Sequence, residues 1–94
     1  MPSNVSMLVE KRRIDILASE DKVSDIKDSK DYIDIYLSKE LSNKDGIGVV
    51  LFEKVNLLDY KSINLSFAKD NIKIRIRKNN TNWVYYIKEL LESI

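Results

Sequence analysis

Apolar and polar residues alternate in four separate stretches of this chain. From Arg13 to Ala18, Ile14 and Ile16 fall on one side, with Arg13, Asp15 and Leu17 on the other. From Tyr32 to Leu37, Ile33, Ile35 and Leu37 oppose Tyr32, Asp34 and Tyr36. From Ser62 to Phe67, Ile63, Leu65 and Phe67 oppose Asn64 and Ser66. From Ile72 to Arg77 the alternation is strict, with Ile72, Ile74 and Ile76 against Lys73, Arg75 and Arg77. A period of two predicts a strand in each stretch, with one face apolar and one polar. An antiparallel sheet covered on one side only carries that pattern. Ala68-Lys69-Asp70-Asn71 has the composition of a turn and joins the last two strands into a hairpin.

The period changes near the C-terminus. Trp83, Val84, Ile87, Leu90, Leu91 and Ile94 recur at helical spacing and predict a helix with one buried face. Trp83 belongs to the core where that helix meets the sheet. Ser38 to Tyr60 admits two readings. Ile47, Val50, Leu51 and Val55 fit a helical stripe that Ser42 or Asn43 could cap. Gly46 and Gly48 oppose it, at about 1 kcal/mol each inside a helix, and Val49-Val50-Leu51-Phe52 suits a buried strand. A short helix is the favoured reading. Ser19 to Asp31, polar but for Val23 and Ile26, reads as a long connection or as strand ends of an extended hairpin. Val5 to Glu10, before Lys11-Arg12-Arg13, reads equally as a last helical turn or as a loose terminus.

The expectation is an α+β fold, a four-stranded antiparallel sheet with two helices on one face in the order β-β-α-β-β-α. Residues 1–12 form an N-terminal tail or the end of a preceding helix, and 13–94 form one domain.

Composition narrows the function. The chain has 94 residues, 16 Lys and Arg against 15 Asp and Glu, and neither histidine nor cysteine. Net charge is +1, so any attraction for nucleic acid must come from a local patch. Without Cys there is no disulfide or thiolate chemistry, and without His the commonest general base and metal ligand are missing. No phosphate-cradling glycine motif occurs. A non-enzymatic domain without cofactors, metal or membrane span is the expectation, with cytoplasmic residence as the default. Asp21, Asp25, Asp28, Asp31 and Asp34 lack the alternate spacing and turn glycine of a calcium loop, and interleaved lysines make them a self-neutralising segment. Asp34, facing out between Tyr32 and Tyr36, is expected to pair across strands with Lys73 or Arg75.

The basic stripe Lys73, Arg75, Arg77 and Lys78 is the strongest candidate site. On an open sheet face Lys73, Arg75 and Arg77 would lie beside Tyr32 and Tyr36, and these five residues are the candidate interaction surface. Cations beside aromatics can grip single-stranded nucleic acid. They also solvate a strand and discourage edge pairing. The neighbouring acids and the balanced charge favour the second role, or a protein partner bearing carboxylates.

In order, these pieces resemble the C-terminal domain of the bacterial transcription-repair coupling factors, the Mfd family. The resemblance runs through Lys11-Arg12-Arg13-Ile14-Asp15, Tyr32-Ile33-Asp34-Ile35-Tyr36-Leu37, an apolar Ile47 to Val55 where that family has a helix, and Ile63-Asn64-Leu65-Ser66-Phe67. Its most specific piece is Asn82-Trp83-Val84-Tyr85-Tyr86-Ile87-Lys88-Glu89-Leu90-Leu91-Glu92. The family's Asp-Arg-[Phe/Tyr]-Gly segment lies upstream and is absent, so no interface residue from that part carries over. The resemblance implies a regulatory domain of an ATP-dependent DNA translocase that removes stalled RNA polymerase and recruits excision repair through UvrA. It implies packing on a UvrB-like module of the same protein, masking the UvrA-binding surface. The alternative is a small nucleic-acid-binding module using the basic sheet face.

Overall fold

The computed structural model describes residues 12, 15, 16, 21–58, 60–68, 70–79 and 82–94. Its elements are β1 (Val23–Asp28), β2 (Tyr32–Leu37), α1 (Lys39–Ser42), α2 (Ile47–Leu58), β3 (Ile63–Ala68), β4 (Asn71–Arg77) and α3 (Trp83–Glu92). The strands form one antiparallel sheet in the order β1-β2-β4-β3, so the fold is α+β as the alternation implies.

Register follows the apolar pattern. Ile33 lies opposite Ile76, which lies opposite Ile63; Ile35 lies opposite Ile74, which lies opposite Leu65. These rows line one face, and Ile33, Ile35, Ile74 and Ile76 are fully buried. Ile47 and Leu51 of α2 and Trp83, Val84, Ile87, Leu90 and Leu91 of α3 join them in a single core cluster. Each such aliphatic side chain contributes about 1.5–3 kcal/mol by leaving water. Lys54 and Glu89 bridge α2 and α3 at 3.6 Å. The Tyr60 and Tyr86 rings stack tilted with centroids 4.5 Å apart. The buried Tyr60 hydroxyl lies 2.8 Å from the Arg77 carbonyl and 2.6 Å from Asn79 Oδ1, which satisfies its polar end.

The first strand is not where alternation placed it. Asp15 and Ile16, the described residues of the Arg13 to Ala18 stretch, have helical backbone, as does Arg12; the rest of that stretch lies outside the described residues. The strand is instead Val23–Asp28, within Ser19 to Asp31, where of the two readings, connection or strand ends of an extended hairpin, the second holds. The reason for the misplacement is a bulge between Val23 and Asp25. It inserts one residue, so Val23 and Ile26 share the core face although they are three apart, and a period of two misses them.

The stretch from Ser38 holds two helices rather than one. Ser38, not Ser42 or Asn43, is an N-cap: its hydroxyl accepts from the Leu41 amide at 3.2 Å. Ser42 ends that short helix, and its hydroxyl accepts from the Ile72 amide at 3.1 Å. α2 then begins at Ile47, which settles the choice between helix and buried strand. Only Gly48 carries the cost of a glycine inside the helix. Gly46 stands just outside, at φ +80, where a glycine is favoured. Gly48 stands inside, and a β-carbon there would lie 3.2 Å from the Phe67 ring. In the β3–β4 hairpin Asp70 takes φ 64, a left-handed conformation that Asp tolerates better than most residues. Among the described residues no helix is long and apolar enough to cross a membrane.

The two leucines Leu51 and Leu57 of α2 test this packing. Leu51 is 0 % exposed and Leu57 is 79 % exposed. In urea denaturation Leu51→Ala should lose roughly 2–5 kcal/mol and Leu57→Ala under about 0.5 kcal/mol. Equal losses would contradict the assigned face of α2.

Candidate interaction surface

The sheet face turned away from the core is built by the polar half of each alternation. Across it run Asp25, Tyr36, Lys73 and Ser66 in one row, and Lys27, Asp34, Arg75 and Asn64 in the next. Tyr32 lies opposite Arg77 in a third. The five residues proposed from sequence therefore stand together on the adjacent strands β2 and β4.

Their environments differ. Arg75 Nε donates to Asp34 Oδ1 at 2.8 Å, and a terminal nitrogen donates to Oδ2 at 3.0 Å, a bidentate pair between directly opposed residues. The Arg75 guanidinium also sits 5.0 Å from the Tyr32 ring centroid, and Lys27 Nζ sits 5.3 Å from that of Tyr36. Arg75 is thus an anchor that orders the face. Lys73 and Arg77 form no ion pair with a described residue, and Arg77 is exposed. Lys78 leaves the stripe altogether. Its ammonium donates to Asp28 Oδ1 at 2.6 Å and lies 5.5 Å from the Trp83 ring, tying β1 to the start of α3.

The acidic series disperses in the same way. Asp25 accepts from the Ile26 amide at 2.8 Å, Asp28 pairs with Lys78 and Asp34 with Arg75. Among the described residues no three acidic, histidine or cysteine groups are placed to hold a metal ion. Two shallow clefts flank the domain, one of about 300 Å³ beside Tyr60 and Lys61 and one of about 580 Å³ beside Lys22, Glu40 and Lys44.

Sequence reasoning missed Lys27 because it misplaced the strand that carries it. The signal was Asp25 and Lys27 at alternate positions, hidden behind the bulge. It also missed the apolar surface where Phe67 and Phe52 stand exposed. Comparison of the chain with protein-family models, with curated proteins and with solved structures finds no match.

The Arg75 hydrogen bonds, opposed by partial burial, hold the Asp34 carboxyl below its ordinary value of 3.8. A lowered carboxyl pKa contributes stability above the unfolded-state value, and this is lost as pH falls through the folded-state value. Asp34→Asn should therefore be less stable than the parent at pH 7, and the gap should narrow as pH falls from neutral through the acid range. Thermal unfolding of both proteins across that range checks it; a gap that does not change with pH would contradict the pairing.

Proposed function

We propose that this chain is a non-catalytic regulatory interaction domain of a transcription-coupled DNA repair factor, packing on a UvrB-like module and masking the surface that binds UvrA. The observation that carries the interaction reading is the ordered open face of the sheet. Arg75, Asp34 and Tyr32 are mutually fixed, while Lys73 and Arg77 form no ion pair with a described acid. A face pre-ordered in this way loses little conformational freedom on docking, and its spare cations steer toward carboxylates.

The later elements support the repair assignment, whereas its first piece, Lys11 to Asp15 entering a strand, is not matched, since Arg12 and Asp15 have helical backbone. The family resembled has a helix where Ile47 to Val55 here lies within α2. Ile63 to Phe67 forms a strand, and Trp83-Val84 opens the final helix. A domain with this role works in the cytoplasm, on the same chain as an ATP-dependent translocase, with UvrA and RNA polymerase as partners of the whole.

A second reading, a module for single-stranded nucleic acid, draws on the same cations and on Tyr32 and Tyr36. Asp25 and Asp34 interrupt the cations of the face, whereas a phosphate backbone needs a continuous positive track, which favours a protein partner whose carboxylates are scattered.

The test is titration of the chain with UvrB-like and UvrA-like domains from the same organism. The UvrB-like domain should bind, and Lys73→Glu with Arg77→Glu should weaken it by at least about tenfold, with marked salt dependence. Absence of binding to either domain would sink the repair reading. A salt-sensitive complex with single-stranded nucleic acid, lost in the same variant, would favour the second reading.

A further inference from the structure

The two edges of the sheet are guarded unequally. β1 is closed by a bulge between Val23 and Asp25 and by the charges of Asp25, Lys27 and Asp28. Its outward amide at Ile26 is already taken by the Asp25 carboxylate, at 2.8 Å. These are common means of keeping an edge from pairing. β3 has none of them. Ile63-Asn64-Leu65-Ser66-Phe67-Ala68 carries no charge and no proline, and it pairs with β4 without a bulge.

The ladder fixes which groups point outward. The Arg77 amide donates to the Ser62 carbonyl at 3.0 Å, so Ser62, Asn64, Ser66 and Ala68 turn their backbone groups toward β4. Ile63, Leu65 and Phe67 turn theirs away from the sheet, and no described strand meets them. The surface beside this edge is apolar. Phe67 is 57 % exposed and lies against Gly48 of α2; Val49 and Phe52 of the same helix are exposed as well.

We infer that the β3 edge pairs antiparallel with the β3 edge of a second copy of this chain, about a twofold axis at Leu65. The sequence of the edge is self-complementary in that register. Leu65 meets Leu65 of the other copy, and Ile63 meets Phe67 at both ends. All are residues whose backbone groups point outward, giving about six new main-chain hydrogen bonds. No like charges are opposed, because the strand has no charge at all. A twofold axis normal to the sheet keeps both helical layers on one side, so each copy's Phe67 is covered by the other. The two four-stranded sheets then continue as one. An interface of one short strand and a few side chains is smaller than the roughly 1,600 Å² of a stable complex, so the dimer exchanges with monomer. The open face bearing Lys73 and Arg77 takes no part, and this inference is independent of the proposed repair role.

Analytical ultracentrifugation from about 10 µM to about 1 mM should show the mean mass climbing from one chain toward two. Over the same range amide exchange at Ile63, Leu65 and Phe67 should slow, while exchange along β1 should not. Leu65→Lys, which sets two cations face to face, should hold the protein at one chain; because Leu65 also packs against the core, Asn64→Lys with Ser66→Lys, both on the exposed face, should do the same with circular dichroism unchanged. A mass of one chain at every concentration would overturn the inference. So would a dimer that forms without slowed exchange at these three amides, an observation made on the parent protein alone.

Discussion

Everything in this domain depends on the pairing of β2 with β4. These are the two central strands, 41 residues apart at the Asp34–Arg75 pair, and each is flanked by a partner close in sequence. Their register places Ile33 against Ile76 and Ile35 against Ile74, all fully buried. A slip of one residue would turn either Asp34 and Tyr36 or Lys73 and Arg75 into the core, and that strand's isoleucines into water. The burial of those four isoleucines and the composition of the outer face are therefore fixed by one constraint. The Asp34–Arg75 pair acts on the outer side of the same register, since its bidentate geometry is available only when the two residues stand opposite.

From that pairing the rest follows by layers. The apolar rows of β2, β4 and β3 provide the ground on which α2 and α3 bury Leu51, Trp83, Ile87 and Leu90. The polar rows provide a face that is neither bare nor fully neutralised. Arg75 is held by Asp34 and by the Tyr32 ring, and Lys27 is held over Tyr36. Order without complete charge neutralisation suits a surface that receives another molecule. The edges then differ because the bulge and charges of β1 guard one side, whereas β3 is uncharged and pairs without a bulge.

The alternating stretches Tyr32 to Leu37 and Ile72 to Arg77 announced β2 and β4 to the residue or nearly so, because central strands covered on one face leave no freedom to their pattern. Trp83 to Glu92 was legible for the corresponding reason in a helix. β1 was legible only as one of two alternatives, because an edge strand with a bulge needs only Val23 and Ile26 to pack, and the bulge breaks their spacing. The break between α1 and α2 was hidden because Gly46 opposes a helix only when it lies inside one, and its position just outside is a property of the chain's path. The five candidate surface residues were legible as a group, since they are the polar complement of the best-patterned strands. The pairing of Arg75 was half legible: sequence offered Asp34 either Lys73 or Arg75, and register chose the residue opposite. The exposure of Phe67 was invisible, because it occupies a core-facing position at the end of its strand.

The central claim is that β2 and β4 present a pre-ordered face to a protein partner. Backbone amide chemical-shift mapping tests it most directly, with labelled chain titrated by the UvrB-like module. The account predicts perturbations concentrated at Tyr32, Asp34, Tyr36, Lys73, Arg75 and Arg77, with α2 and α3 little changed. Perturbations confined to the helices, or none at all at saturating module, would contradict it.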